Sequence, residues 1–123
     1  MATFERSDGW IHMSINKKEI LESIIGIGDA YNHSVFNYDE LDEGLNRLIA
    51  NGLIKKVETF YIKTEDSTLY SKVKKFNGGP RHILFKCMDV FGKLEMVVTP
   101  NLKNHIITEH DYESSLKLYI GQS

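Results

Sequence analysis

Across residues 37–57, NYDELDEGLNRLIANGLIKKV, apolar side chains recur at Leu41, Leu45, Leu48 and Ile49, four, three and one residues apart. That spacing puts them on one stripe of a helix. Asn37 can accept from backbone amides at the start, and Glu40, three residues on, can reach back to complete a capping box. Asp39 and Glu40 also lie near the positive end of the helix dipole. Asn51-Gly52 supplies a left-handed exit, and Leu53 can fold back on the last turn. The pattern then alternates. Residues 54–57 and 60–63 predict a hairpin turning at Glu58-Thr59.

Elsewhere the pattern is shorter. Trp10-Ile11-His12-Met13 reads as a short strand, with Ser14 or Asn16 capping a helix over residues 17–27. In that helix Ile20, Leu21, Ile24 and Ile25 face inward, and Gly26 and Gly28 end it. Residues 29–36 then read as a short second helix with Ala30, Val35 and Phe36 as its apolar positions. Thr64-Glu65-Asp66 caps a further helix to about Phe76, with Leu69, Tyr70, Val73 and Phe76 inward. Asn77-Gly78-Gly79-Pro80 is the clear break. Residues 80–91 fit a helix, with Pro80 at its first position, Gly92 at its exit and a stripe of Ile83, Leu84, Cys87, Met88 and Phe91. The alternation of Ile83, Phe85 and Cys87 is what a strand would show, and the helix is preferred. Residues 94–98 are more strand-like. Thr108 caps a last helix to about Tyr119, burying Tyr112, Leu116 and Tyr119.

Together these elements predict an α+β fold. The order strand, three helices, hairpin, helix resembles the winged helix-turn-helix superfamily over roughly residues 8–76. The resemblance is carried by Trp10-Ile11, Glu19-Ile20-Leu21, the run from Glu40-Leu41 to Gly52-Leu53-Ile54, and Thr64-Glu65. It implies a winged helix domain, a three-helix core with a small β-hairpin wing, over residues 1–76. Residues 77–123 would be a C-terminal helical or β extension that packs on this domain or builds a homodimer. Winged helix domains usually insert the third helix into a DNA groove, and other members bind proteins or RNA, so the fold names no activity.

Bulk properties narrow the class. The 123 residues suit one domain, and 41% hydrophobic with 26% charged content is ordinary for a soluble globular chain. No apolar run approaches the roughly 20 residues that cross a bilayer. The start, MATFERSDGW, lacks a signal-peptide apolar core. A single cysteine, Cys87, permits no internal disulfide and fits a reducing, cytoplasmic location. The net charge of −2 is uneven: residues 1–54 carry nine acids and four bases, whereas residues 55–86 carry eight bases and three acids. Such a polarised chain can steer a charged partner.

Candidate chemistry is sparse. The G-x-G of Gly26-Ile27-Gly28 lacks a third glycine, a long preceding strand and a following lysine, so it reads as a helix end rather than a phosphate loop. Asp29 and His33 could share a helix face, but no third metal ligand has recognisable spacing. Cys87 stands among Phe85, Met88 and Phe91, where burial would quieten a thiol. The carboxylates Asp39, Glu40, Asp42 and Glu43 fall on an exposed helix rather than in a cleft, where solvation keeps them ordinary. No catalytic constellation results; the expectation is a protein that is not an enzyme and uses no cofactor or metal.

Tyr38, Asp39, Asp42, Glu43 and Asn46 form the predicted solvent face of the helix over residues 38–50. Three acids there would remove the counterion-release term that dominates DNA affinity, and Arg47 alone does not offset them. This favours a protein-binding module that presents those five residues to a basic partner, in the manner of an inhibitor or immunity protein. The alternative is a winged-helix transcription regulator or DNA-binding protein that touches nucleic acid through a basic wing and the following helix: Lys55, Lys56, Lys63, Lys72, Lys74 and Lys75.

Overall fold

The computed structural model describes residues 2–73 and 77–121. Over these residues the protein is α+β, with six helices and a small three-stranded antiparallel sheet. The chain runs through α1 (Arg6–Met13), β1 (Lys18–Ile20), α2 (Leu21–Asn32), α3 (Tyr38–Ala50), β2 (Ile54–Val57), β3 (Phe60–Lys63), α4 (Tyr70–Val73), α5 (Pro80–Lys93) and α6 (Glu109–Gly121). In the sheet, β3 is central: β2 pairs with it through the tight hairpin, and β1 joins its other edge with Glu19 opposite Tyr61.

Helix α3 forms for the reasons its sequence gives. The Asn37 side chain accepts from the Glu40 amide at 2.8 Å, and the Glu40 carboxylate accepts from the Asn37 amide at 2.9 Å. Leu41, Leu45 and Leu48 are fully buried, each worth about 1.5–3 kcal/mol of transfer free energy. Gly52, at φ +74°, ends the helix in the left-handed region, and the Leu53 amide donates to the Leu48 carbonyl. The hairpin at Glu58-Thr59 also lies where the alternation puts it. The helix over 80–93 begins at Pro80, and the last helix follows Thr108, whose Oγ1 accepts from the Asp111 amide at 3.0 Å.

Other elements differ from the sequence reading. Residues 10–13 are helical, not a strand: they end α1, which begins where the Asp8 carboxylate accepts from the Glu5 amide at 2.9 Å. The strand lies instead at Lys18–Ile20, so Ile20 pairs opposite Phe60 and is 36% exposed rather than inward. Helix α2 passes through Gly26 and Gly28 and takes in residues 29–32, which leaves no separate helix before Phe36. Those glycines are packing positions; a side chain at Gly28 would strike the Phe36 ring. Within residues 64–73 only Tyr70–Val73 is helical, because Thr64 and Ser67 side chains take the local backbone groups into turns; Phe76 lies outside the described residues. Residues 94–98 make a single bridge, Thr3 with Glu95, rather than a strand.

One core serves all of this. Leu84, Cys87, Phe91, Leu94, Met96 and Ile107 belong to the same buried cluster as Phe4, Trp10, Ile15, Ile24, Leu45 and Tyr61. At its centre α1 is held between α3 and α5. Gly9 brings α1 so close to α5 that an added Cβ would lie 2.7 Å from the Cys87 carbonyl oxygen, and at Gly44 of α3 it would lie 2.2 Å from Ile11 Cδ1. Across the α1–α3 contact the Arg47 guanidinium grips Asp8 at both oxygens, at 2.7 and 3.1 Å, with Asp8 fully buried and Arg47 7% exposed. Burial pushes the Asp8 carboxyl up, and the guanidinium pulls it back. Removing one partner strands the other charge in the core. Asp8→Ala is therefore expected to lower stability by about 3–5 kcal/mol in urea unfolding, and adding Arg47→Met should recover part of that loss.

Candidate functional site

The polar stripe of α3 predicted to face solvent is covered in large part by the chain itself. Residues 97–107 run along it as a strap held by side chains of α3 and its exit. The Tyr38 hydroxyl donates to the Ile107 carbonyl at 2.8 Å. One oxygen of Asp42 accepts from the Ile106 and Ile107 amides at 2.7 and 3.0 Å, and the other lies 2.7 Å from His105 Nδ1. Asn46 donates to the carbonyls of Asn101 and Asn104. Asn51 donates to the Val98 carbonyl and accepts from the Val97 and Val98 amides.

Of the five residues predicted to meet a partner, Asp42 and Asn46 are thus buried, at 2% and 8% exposure. This corrects the reading of that face as uniformly solvated. The physical reason is that a loop laid over a helix needs donors and acceptors for its backbone, and these side chains provide them. Arg47, assigned to the same face, is also buried, against Asp8. Asp39 remains exposed, while Tyr38 and Glu43 are half-buried.

What stays open is a cleft of about 360 Å³ where the start of α3 meets the start of α6. It is lined by Asn37, Tyr38, Asp39, Glu109, Tyr112 and Glu113. Three carboxylates and two phenol rings form its wall, with no basic side chain among them. The rings of Tyr38 and Tyr112 meet edge to face, 6.0 Å between centroids. The Tyr112 hydroxyl donates to the Phe36 carbonyl and fixes that wall. Desolvation first, then the charges of Asp42, Glu109 and Asp39, push the Tyr38 phenol up, so it stays a neutral donor. The chain can present this cleft to a cation; the cleft contains no aligned nucleophile and base.

The described members of the basic set differ in environment. Lys55 and Lys72 are exposed. Lys56 donates to the Ile106 carbonyl at 3.3 Å and lies 5.5 Å from the Tyr61 ring centroid. Lys63 is half-buried, and burial lowers its pKa. Lys74 and Lys75 lie outside the described residues. Cys87 is packed, its thiol pushed up to about 11 by burial and donating to the Gly9 carbonyl. Asp29 accepts from the Tyr119 hydroxyl, and His33 ends α2 with φ +53°.

Sequence reasoning did not find Asn51, His105, Glu109, Tyr112 or Glu113 as parts of this surface. His105 lies in residues 97–107, which carry no periodicity that predicts where they dock, and the others come from the exit of α3 and from α6, whose meeting depends on that docking. A hint lies in the i, i+4 spacing of Tyr38, Asp42 and Asn46, each able to satisfy backbone groups. Among the described residues no helix is long and apolar enough to cross a membrane. Compared with protein-family models, curated proteins and solved structures, the chain matches none.

Two outcomes test the strap. Asp42→Ala leaves the Ile106 and Ile107 amides without their charged acceptor and should lower stability by about 3 kcal/mol, with faster hydrogen exchange at those two amides. His105 is held above its ordinary 6.5 by its hydrogen bond to Asp42 foremost, against partial desolvation. A raised folded-state value means the contact contributes fully below 6.5 and is lost as pH rises through the raised value. An NMR titration should show His105 titrating above 6.5, and Asp42→Asn should bring it back.

Proposed function

We propose that the protein is a non-catalytic protein-binding module, of the inhibitor or immunity type, whose acidic surface takes a basic partner. The observation that carries this reading is the cleft formed by Asp39, Glu109 and Glu113 around Tyr38 and Tyr112. A lysine or arginine of the partner would place its charge among the carboxylates and its stem against the rings. Glu43 extends the acidic surface along α3, while Asp42 and Asn46 act indirectly by holding the strap that positions α6.

The architecture is compatible with a winged helix: a three-helix core, then a hairpin whose inner strand also pairs with a strand between α1 and α2. In that frame the strap covers the face of α3 that would enter a groove. The alternative is nucleic-acid contact through the wing. It keeps exposed Lys55, Lys56 and Lys72, with Lys56 also 3.3 Å from the Ile106 carbonyl, but Lys63 is partly withdrawn from solvent. The partial withdrawal of Lys63 weighs against it, since phosphate contacts supply most such affinity.

Cross-linking and co-purification from the native cell, with the wild type beside Asp39→Lys/Glu109→Lys/Glu113→Lys, test the reading. Capture of a basic protein should weaken at least about tenfold in the variant, with circular dichroism unchanged. Undiminished capture would refute the cleft. Salt-sensitive micromolar binding of mixed-sequence duplex DNA would favour the wing.

A further inference from the structure

A second cleft, sharing no lining residue with the acidic one, lies where the end of α1 meets β1, β3 and the segment carrying α4. Its volume is about 610 Å³, within the range of small-molecule sites. Its chemistry is opposite in sign. Lys17, Lys18 and Lys63 all line it, and its one carboxylate, Glu65, accepts from the Tyr70 hydroxyl at 3.2 Å.

Two groups in this wall lack the partners their environment calls for. His12 is 4% exposed, and its Nε2 has no hydrogen-bond partner among the described residues. Buried imidazole nitrogens are usually satisfied, so this one leaves an unmet polar group behind the cleft wall. Burial holds this ring neutral, its pKa lowered to about 3, so it can still offer one N–H. Lys63 is the second group. Its ammonium is partly desolvated, and no carboxylate pairs with it among the described residues. A cation withdrawn from water without a counter-charge is destabilising unless something supplies one. Lys18 rests 4.2 Å from the Phe60 ring centroid, a weak contact that an anion can displace. Ile62 and Val73 add apolar wall.

We propose that this cleft binds a small organic anion, its phosphate or carboxylate held by Lys63 with Lys17 and Lys18, and its apolar body against Ile62 and Val73. The neutral His12 ring backs the same wall, 5.5 Å from the Phe91 ring centroid, and reports on the cleft without touching its contents. A nucleic acid strand does not suit a recess of this size, whereas a metabolite with one acidic group and a ring does.

The test is an NMR and thermal-shift titration of the whole chain with inorganic phosphate, phenyl phosphate and benzoate, against sodium chloride at matched ionic strength. Saturable shifts at the His12 ring and the Lys63 amide are expected. Phenyl phosphate should bind at least tenfold more tightly than inorganic phosphate, and its comparison with benzoate tells a phosphate site from a carboxylate site. Lys63→Met should abolish the response while leaving the unliganded melting temperature equal or higher, since it removes a half-buried charge that no carboxylate pairs with among the described residues. Should that variant fail to fold, the exposed pair Lys17→Gln/Lys18→Gln takes its place, with at least a tenfold loss expected. Absence of a saturable response to all three probes overturns the proposal, as does wild-type affinity in the lysine variant. Binding of duplex DNA through these lysines with no response to the small anions would overturn it too.

Discussion

Backbone amides and carbonyls withdrawn from water must find partners, and the segment over residues 97–107 finds them on one helix. It has neither sheet nor helix of its own over most of that length. Asp42, Asn46 and Asn51 stand in for the missing ladder, one carboxylate and two amides replacing what a neighbouring strand would give. The arrangement of α6 against α2 and the start of α3 follows, because this segment delivers the chain to Thr108. The acidic cleft exists only where α3 and α6 come together. Its geometry is therefore set by hydrogen bonds several residues away from the carboxylates that would be used.

That dependence explains which parts were legible in the sequence. Elements defined by their own residues were: α3 by its leucine stripe and capping box, the hairpin by alternation around Glu58-Thr59, α5 by Pro80, and α6 by Thr108. Helix α1 was hidden because it has almost no solvent face. Asp8 and His12 are polar yet buried together with Gly9, Trp10 and Ile11, so polarity along this stretch does not follow the helical period. Gly26 and Gly28 misled in the opposite way. They read as helix stops, whereas they admit Tyr119 and Phe36 against α2. The strand-like run at 94–98 spends its hydrogen bonds on Ala2, Phe4 and Asn51 rather than on a sheet partner.

The candidate site was legible only by half. Tyr38 and Asp39 were singled out and line the cleft, whereas Glu43 lies outside it; a helix seen alone cannot distinguish a polar stripe that meets water from one that meets the chain's own backbone. Both want side chains rich in lone pairs and N–H groups. Glu109 and Glu113 belong to a helix more than sixty residues away, and proximity of that kind is decided by packing. The split in charge was visible from the start. Its spatial meaning changed: negative groups gather where α3 meets α6, while several lysines turn toward a separate recess.

Helix α1 is the thinnest possible spacer, since it is stripped of side chain where it crosses α5 and faces a bare position where it crosses α3. Its thickness sets the gap between those two helices, much as a shim sets the clearance between two plates. Chemically blank positions therefore carry a tight tolerance here. A lineage of this protein could exchange its surface charges, and with them its ligands, far more freely than it could replace Gly9 or Gly44.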